Sequence, residues 1–76
     1  MTKLPQISGA ALTKAFGKDG WFVVGQKGSH KKLVKHLKPV GKSTIIIPQH
    51  KVLKKGTLAR ILKDGGVSIE KLKELL

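Results

Sequence analysis

Residues 21–47 read WFVVGQKGSHKKLVKHLKPVGKSTIII, and this stretch decides the fold. Its first and last segments are rich in β-branched and aromatic residues, the composition that suits a pleated strand. Its middle segment alternates in part, with Leu33 and Leu37 on one face and Lys32 and His36 on the other. Gly28-Ser29 is a two-residue hairpin signal between the first two segments. Pro48 ends the last segment, because proline cannot donate to a sheet ladder. The stretch therefore predicts three consecutive antiparallel strands, over residues 21–24, 31–37 and 43–47.

Helical signals lie on both sides of this stretch. Ser8 is a good N-cap for a first helix, and Ser68 is a good N-cap for the last one. Helices stacked on one face of a sheet bury the apolar faces of the helices and of the sheet against each other. The predicted class is therefore α+β in the order α-β-β-β-α with a short extra helix, the layout of a double-stranded-RNA-binding-like domain. The predicted helices cover residues 9–16, residues 56 or 57 to 63, and residues 69–76.

The length and composition exclude several kinds of protein. A chain of 76 residues permits one domain, which we expect to span residues 1–76. The absence of cysteine excludes disulfides and thiolate zinc sites. No stretch approaches the ~20 apolar residues of a membrane span. Residues 1–5 lack the apolar run of a signal peptide, so we expect a cytoplasmic protein.

Charge is the most informative feature of the composition. Lys and Arg total 16 against 4 Asp and Glu, a formal net charge of +12. Between Gly20 and Lys63 the chain contains no acidic residue. Such a one-sided field attracts RNA, DNA, an anionic membrane or an acidic protein. A lysine-rich solvated surface is the alternative, although such surfaces usually mix both signs.

The predicted hairpin determines where His30 lies. If Gly28 and Ser29 form the loop, Lys27 and His30 are directly opposite each other on one face. Phe22, Val24 and Leu33 on the other face would then point to the helices, and His30 would point to solvent. Counting back along this ladder predicts two further pairs, Val24 with Leu33 and Phe22 with Lys35.

An exposed histidine among lysines suits RNA cleavage. RNA carries its own nucleophile, the 2′-OH, and a histidine can take or give a proton near neutral pH. A positioned general base is worth about 10²- to 10⁴-fold in rate. Nearby ammonium groups favour the neutral imidazole and stabilise negative charge that develops on a phosphate. This chemistry requires no metal or other cofactor, and the scarce acids and scattered histidines predict no metal cluster.

Simpler interpretations of the same residues remain open at this point. A lone exposed histidine is usually an ordinary surface residue, and His50 in its loop could serve a turn or a cap. The Lys31-Lys32 pair could merely keep an edge strand soluble. Trp21 and Phe22 could stack on bases, but at the start of a first strand they more often belong to the core.

A set of short motifs distinguishes between these interpretations. These motifs are Leu4-Pro5, Ser8-Gly9, Phe22, Gln26-Lys27-Gly28-Ser29-His30, Ile47-Pro48-Gln49-His50, Lys55-Gly56-Thr57-Leu58 and Ile61-Leu62. The Gly-Ser-His tripeptide alone is a weak signal, but the additional motifs at the right distances make the set specific. With this set the chain resembles the HicA toxin family, the small mRNA-cleaving partners of HicB antitoxins in toxin–antitoxin modules.

The resemblance implies a ribonuclease that stops translation, with His30 as its catalytic histidine and a HicB-like antitoxin that blocks the site. We therefore predict a metal-independent endoribonuclease that binds mRNA and needs no small-molecule cofactor. The second group that transfers a proton stays open among a lysine, a water and His50. A non-catalytic RNA-binding module is the alternative, and a peripheral membrane protein is a weaker one. The predicted RNA-binding residues are Lys27, Gly28, Ser29, Lys31, Lys32, Lys51, Lys54 and Lys55.

Overall fold

A three-stranded antiparallel sheet with helices on one face forms the structure, a computed structural model that describes residues 4–76. The predicted α+β class and the element order are confirmed. Residues 1–3 lie outside the described residues. They are most of the segment, residues 1–5, that we expect to lack the apolar run of a signal peptide. The elements are α1 (Gly9–Lys18), β1 (Phe22–Lys27), β2 (His30–His36), β3 (Lys42–Pro48), α2 (Lys55–Gly65) and α3 (Ile69–Leu75).

Both predicted serine caps are confirmed. The Oγ of Ser8 accepts a hydrogen bond of 3.0 Å from the backbone N–H of Ala11. The Oγ of Ser68 accepts an equivalent bond of 3.0 Å from Lys71. Helix α2 begins slightly earlier than predicted, because its N-cap residue is Lys54, whose side chain makes no capping hydrogen bond. A helix start without a side-chain cap leaves no sequence signal to locate it.

The hydrophobic core lies between the three described helices and one face of the sheet. Trp21 is buried and packs against Phe16 with ring centroids 5.7 Å apart, which confirms its expected place in the core. Lys35 reaches from β2 to Asp19 at the end of α1, with 3.2 Å between Nζ and Oδ2. The largest fully buried side chains are Phe16, Leu12, Leu33, Ile47, Leu58 and Leu72.

The pairing of β1 with β2 follows the predicted register only near the hairpin loop. Lys27 pairs with His30, as predicted, but the register shifts between Val23 and Gly25. Val24 is the extra residue of a β-bulge, which places two residues of one strand opposite one residue of its partner. The predicted pairs Val24–Leu33 and Phe22–Lys35 are therefore wrong. The observed pairs are Val23 with Leu33 and Phe22 with Val34.

The bulge also changes which side chains face the helices. Phe22 and Val24 are 43% and 50% exposed, so the prediction that both point into the core is wrong, although Leu33 does so. The ring of Phe22 lies beside His36 instead, at 5.3 Å between centroids. Because side chains alternate along a strand, Phe22 belongs to the face of the sheet that carries no helix. We call this face the outer face.

The described helices are all short. Within residues 4–76, no helix combines the length and the apolar character that crossing a bilayer requires.

Candidate active site

The hairpin loop places His30 at the end of the sheet. Gly28 has a φ of 60°, and no described residue other than glycine has a positive φ. A left-handed first residue followed by an ordinary second one is the pattern of a type II′ turn, which favours glycine at the first position. The Nε2 of Gln26 donates a 3.0 Å hydrogen bond to the Gly28 carbonyl across this turn. His30 is therefore the first residue of β2.

The imidazole of His30 is freely accessible. His30 lies in the central strand, paired with Lys27 of β1 and Pro48 of β3. The residue is exposed, and in the described part of the chain no hydrogen bond holds its side chain. Both ring nitrogens can therefore contact a substrate.

The segment after β3 ties the hairpin loop to the first helix. The backbone N–H of Gln49 donates to the carbonyl of Ser29. The Nε2 of Gln49 donates to the Thr13 Oγ1 of α1 at 3.2 Å and to the Ile47 carbonyl at 3.0 Å. The N–H of Gly9 donates to the His50 carbonyl at 2.9 Å. These bonds fix the backbone at Ser29 and leave the side chain of His50 exposed.

The predicted lysines divide between the two faces of the sheet. Lys27 pairs with His30, and Lys32 lies two residues further along β2, so alternation places all three on the outer face. Lys31 lies opposite Gln26 and the buried Ile47, on the helix side of the sheet, and is only partly exposed. The structure therefore does not bring Lys31 to the face that carries His30.

Three further predicted lysines lie before and at the start of α2. Lys51, Lys54 and Lys55 are exposed, and the two ion pairs found within residues 4–76 involve other lysines. Their charges are therefore free to attract a polyanion along this side of the molecule.

The remaining histidine lies far from His30. His36 is at the opposite end of β2, roughly 20 Å away at the usual rise per strand residue. The two imidazoles cannot act on one phosphate. Among residues 4–76 there is also no group of three or more His, Asp or Glu side chains placed to hold a metal ion.

An open groove of about 680 Å³ adjoins His30 on the outer face. Sequence reasoning did not assign three residues of its lining to the site, Gly25, Gln26 and Ile46. The available signal was a glycine inside a strand pattern, which often marks a bulge or a place where another group approaches the backbone. The lining residues are Gly25, Gln26, Lys27, Gly28, Ser29, His30, Lys32 and Ile46.

Comparison with known proteins gives one match. A family model described as HicA toxin of bacterial toxin–antitoxin matches residues 9–67, most of the 76-residue chain. No curated protein and no solved structure matches the chain significantly. The matched segment includes the hairpin with His30 and the loop that anchors it. Toxins of such modules act together with a cognate antitoxin. This chain belongs to the HicA toxin family.

Proposed function

We propose that this toxin is a metal-independent endoribonuclease that cleaves mRNA in the cytoplasm, with His30 as its catalytic residue. One observation carries the proposal: an exposed imidazole lies on the outer face of the sheet together with Lys27 and Lys32. The family membership supports it, because a toxin needs a target and a net charge of +12 favours a polyanionic one.

The chemistry that suits these residues uses the nucleophile of RNA itself. The imidazole of His30 takes the proton from a 2′-OH, and the 2′-oxygen attacks the adjacent phosphorus. The bond from phosphorus to the 5′-oxygen breaks, and this oxygen receives a proton. The products are a 2′,3′-cyclic phosphate and a 5′-OH end. A lysine, a water or His50 supplies the proton to the leaving oxygen.

Lys27 and Lys32 act through their positive charge in this proposal. The ammonium groups of Lys27 and Lys32 hold the non-bridging oxygens of the scissile phosphate, where negative charge accumulates in the transition state. The Ser29 hydroxyl donates to one of the same oxygens. Lys51, Lys54 and Lys55 bind the RNA backbone farther from the cleaved bond, and Lys31 contributes to the general positive field.

Induced expression of His30→Ala beside the native chain tests the proposal. We expect growth arrest and cleaved transcripts from the native chain and neither effect from the variant. His36→Ala is the matched control, because it removes another exposed imidazole from the same strand, and it should remain toxic. Equal effects of the native chain and His30→Ala would contradict the role of His30, and binding of RNA without cleavage would favour a binding module.

Two measurements on the purified protein test the mechanism itself. If the imidazole of His30 is the base, the His30→Ala protein cleaves RNA about 10²- to 10⁴-fold more slowly than the native protein. Cleavage by the native protein should also persist in the presence of a chelator. An unchanged rate in the variant, or a native rate that the chelator abolishes, would overturn the mechanism.

A further inference from the structure

We propose that the groove beside His30 binds one unstacked base of single-stranded RNA. The proposal rests on the proposed function for its RNA substrate and adds a binding site to it. The groove lies on the outer face, where Gly25 of β1, Lys32 of β2 and Ile46 of β3 form one row across the sheet. Lys27 and His30 form the next pair on this face and also line the groove.

The surface of the groove is mostly apolar, although most of its lining residues are polar. This contrast arises because lysine can lay its methylene stem along a surface while its charged end stays in water. Gly25 adds no side chain, and nothing lies within 4 Å of the position where its Cβ would be. Ile46 lies opposite Lys32 in the ladder and is 46% exposed. The result is an open, mostly apolar groove that also carries the ammonium groups of Lys27 and Lys32.

These features match a nucleotide better than other occupants. A base offers two apolar ring faces, and the phosphates attached to it carry the charge that the ammonium groups of Lys27 and Lys32 attract. The groove volume of about 680 Å³ lies within the range of about 300–1,000 Å³ of small-ligand sites. A base that lies over the row of Gly25, Lys32 and Ile46 would bring its own ribose and phosphate to the adjacent pair of Lys27 and His30.

Only an unpaired base can enter this groove. In duplex RNA the bases are stacked, and the deep, narrow major groove of the A-form helix hides their edges from side chains. Extruding a base from a duplex costs a few kcal/mol, least for a strand that is already single. The groove therefore favours single strands over duplexes, and a flexible strand also allows the 2′-oxygen to align with the bond that breaks.

Filling the groove tests the proposal. We would place Gly25→Val in the His30→Ala background, so that RNA stays intact and binding is measured alone. A β-branched residue suits a strand, and the open space at Gly25 accepts its side chain. Gly17→Val is the matched control, because Gly17 lies in α1 and also has nothing within 4 Å of its Cβ position. A thermal melt of each variant verifies folding.

The probes separate contacts to the base from attraction by charge. We expect Gly25→Val to weaken binding of a labelled single-stranded oligoribonucleotide about tenfold, the order of one lost base contact. Its affinity for inorganic polyphosphate should not change. The slope of log K against log salt concentration should also be unchanged, because no phosphate contact is lost. Ile46→Ser, at an exposed position, should weaken RNA binding in the same way without filling the groove.

Two results would overturn the base site. One is an equal loss of affinity for RNA and for polyphosphate. The other is unchanged RNA affinity in both variants, and if antitoxin co-purification is lost at the same time, the groove is a protein site. Cleavage is not used in this test. If the native protein binds RNA through the groove but never cleaves it, the proposed activity fails and the base site stands.

Discussion

Gly9 lies so close to Pro48 that a Cβ at position 9 would overlap the Pro48 carbonyl oxygen. The first turn of α1 and the end of β3 are thus in backbone contact, and the bond from the Gly9 N–H to the His50 carbonyl fixes their separation. Because Gln49 in turn bonds Ser29, a helix terminus helps to position the hairpin loop that presents His30.

Gly9→Ala should therefore lower the free energy of unfolding, by about 1–3 kcal/mol if it behaves as an overpacked site. Denaturant unfolding followed by far-UV circular dichroism measures this. Gly17→Ala in the same helix has open space around the added methyl group and should raise stability by about 0.5–1 kcal/mol. Equal stability of Gly9→Ala and the native chain would contradict the close contact.

The two neighbouring lysines of β2 should differ in their effects. Lys32→Ala removes an ammonium group from the face of His30, and we expect cleavage to fall about tenfold, or about 1.4 kcal/mol. The salt dependence of RNA binding should decrease by about one phosphate contact. Lys31→Ala is the matched control, because Lys31 lies on the helix side, and its effect on cleavage should be small. A larger loss from Lys31→Ala would contradict the assignment of faces.

Trp21 contains a buried polar atom without a partner. Its indole Nε1 is buried and makes no hydrogen bond to any group of residues 4–76. Trp21→Phe removes this N–H and keeps an aromatic ring beside Phe16. The gain from removing an unpaired polar group should offset the loss from the smaller ring to within about 1 kcal/mol. Trp21→Ala should cost about 3–5 kcal/mol. Denaturant unfolding followed by circular dichroism measures both costs, and a cost for Trp21→Phe as large as that for Trp21→Ala would contradict the expected offset.

The sequence predicts the elements of this fold better than their pairing. Ser8, Ser68 and the Gly28-Ser29 turn act through contacts within a few residues, so local chemistry locates them. Gly25 is a local signal for a bulge, but it does not locate the extra residue, because Val23 and Val24 are both β-branched and either could face the core. Which of them is the extra residue depends on packing against the rest of the sheet.

The candidate site could likewise be predicted only in part from the sequence. The position of His30 follows from the hairpin count, and the family resemblance supplies its proposed role. The groove could not be predicted, because it joins Gly25 of β1 to Ile46 of β3, two residues that only the three-stranded register brings together. Residues that are neighbours in the sequence need not share a face of the sheet. Lys31 follows His30 directly but lies on the opposite face.

The bulge at Val24 divides β1 into two parts in which odd and even positions face opposite sides of the sheet. Phe22 therefore lies on the outer face with Lys27, although it lies an odd number of residues before Lys27. Deleting Val24 would make this number even, so a regular ladder would keep Phe22 outside and Val23 opposite Leu33, with the hairpin loop in place. Near-UV circular dichroism and iodide quenching of the neighbouring Trp21 should therefore match the native chain, and a change in either would contradict the bulge. The aromatic surface of this toxin is thus set by the parity of a residue count, and the bulge is the device that corrects an odd count without altering His30.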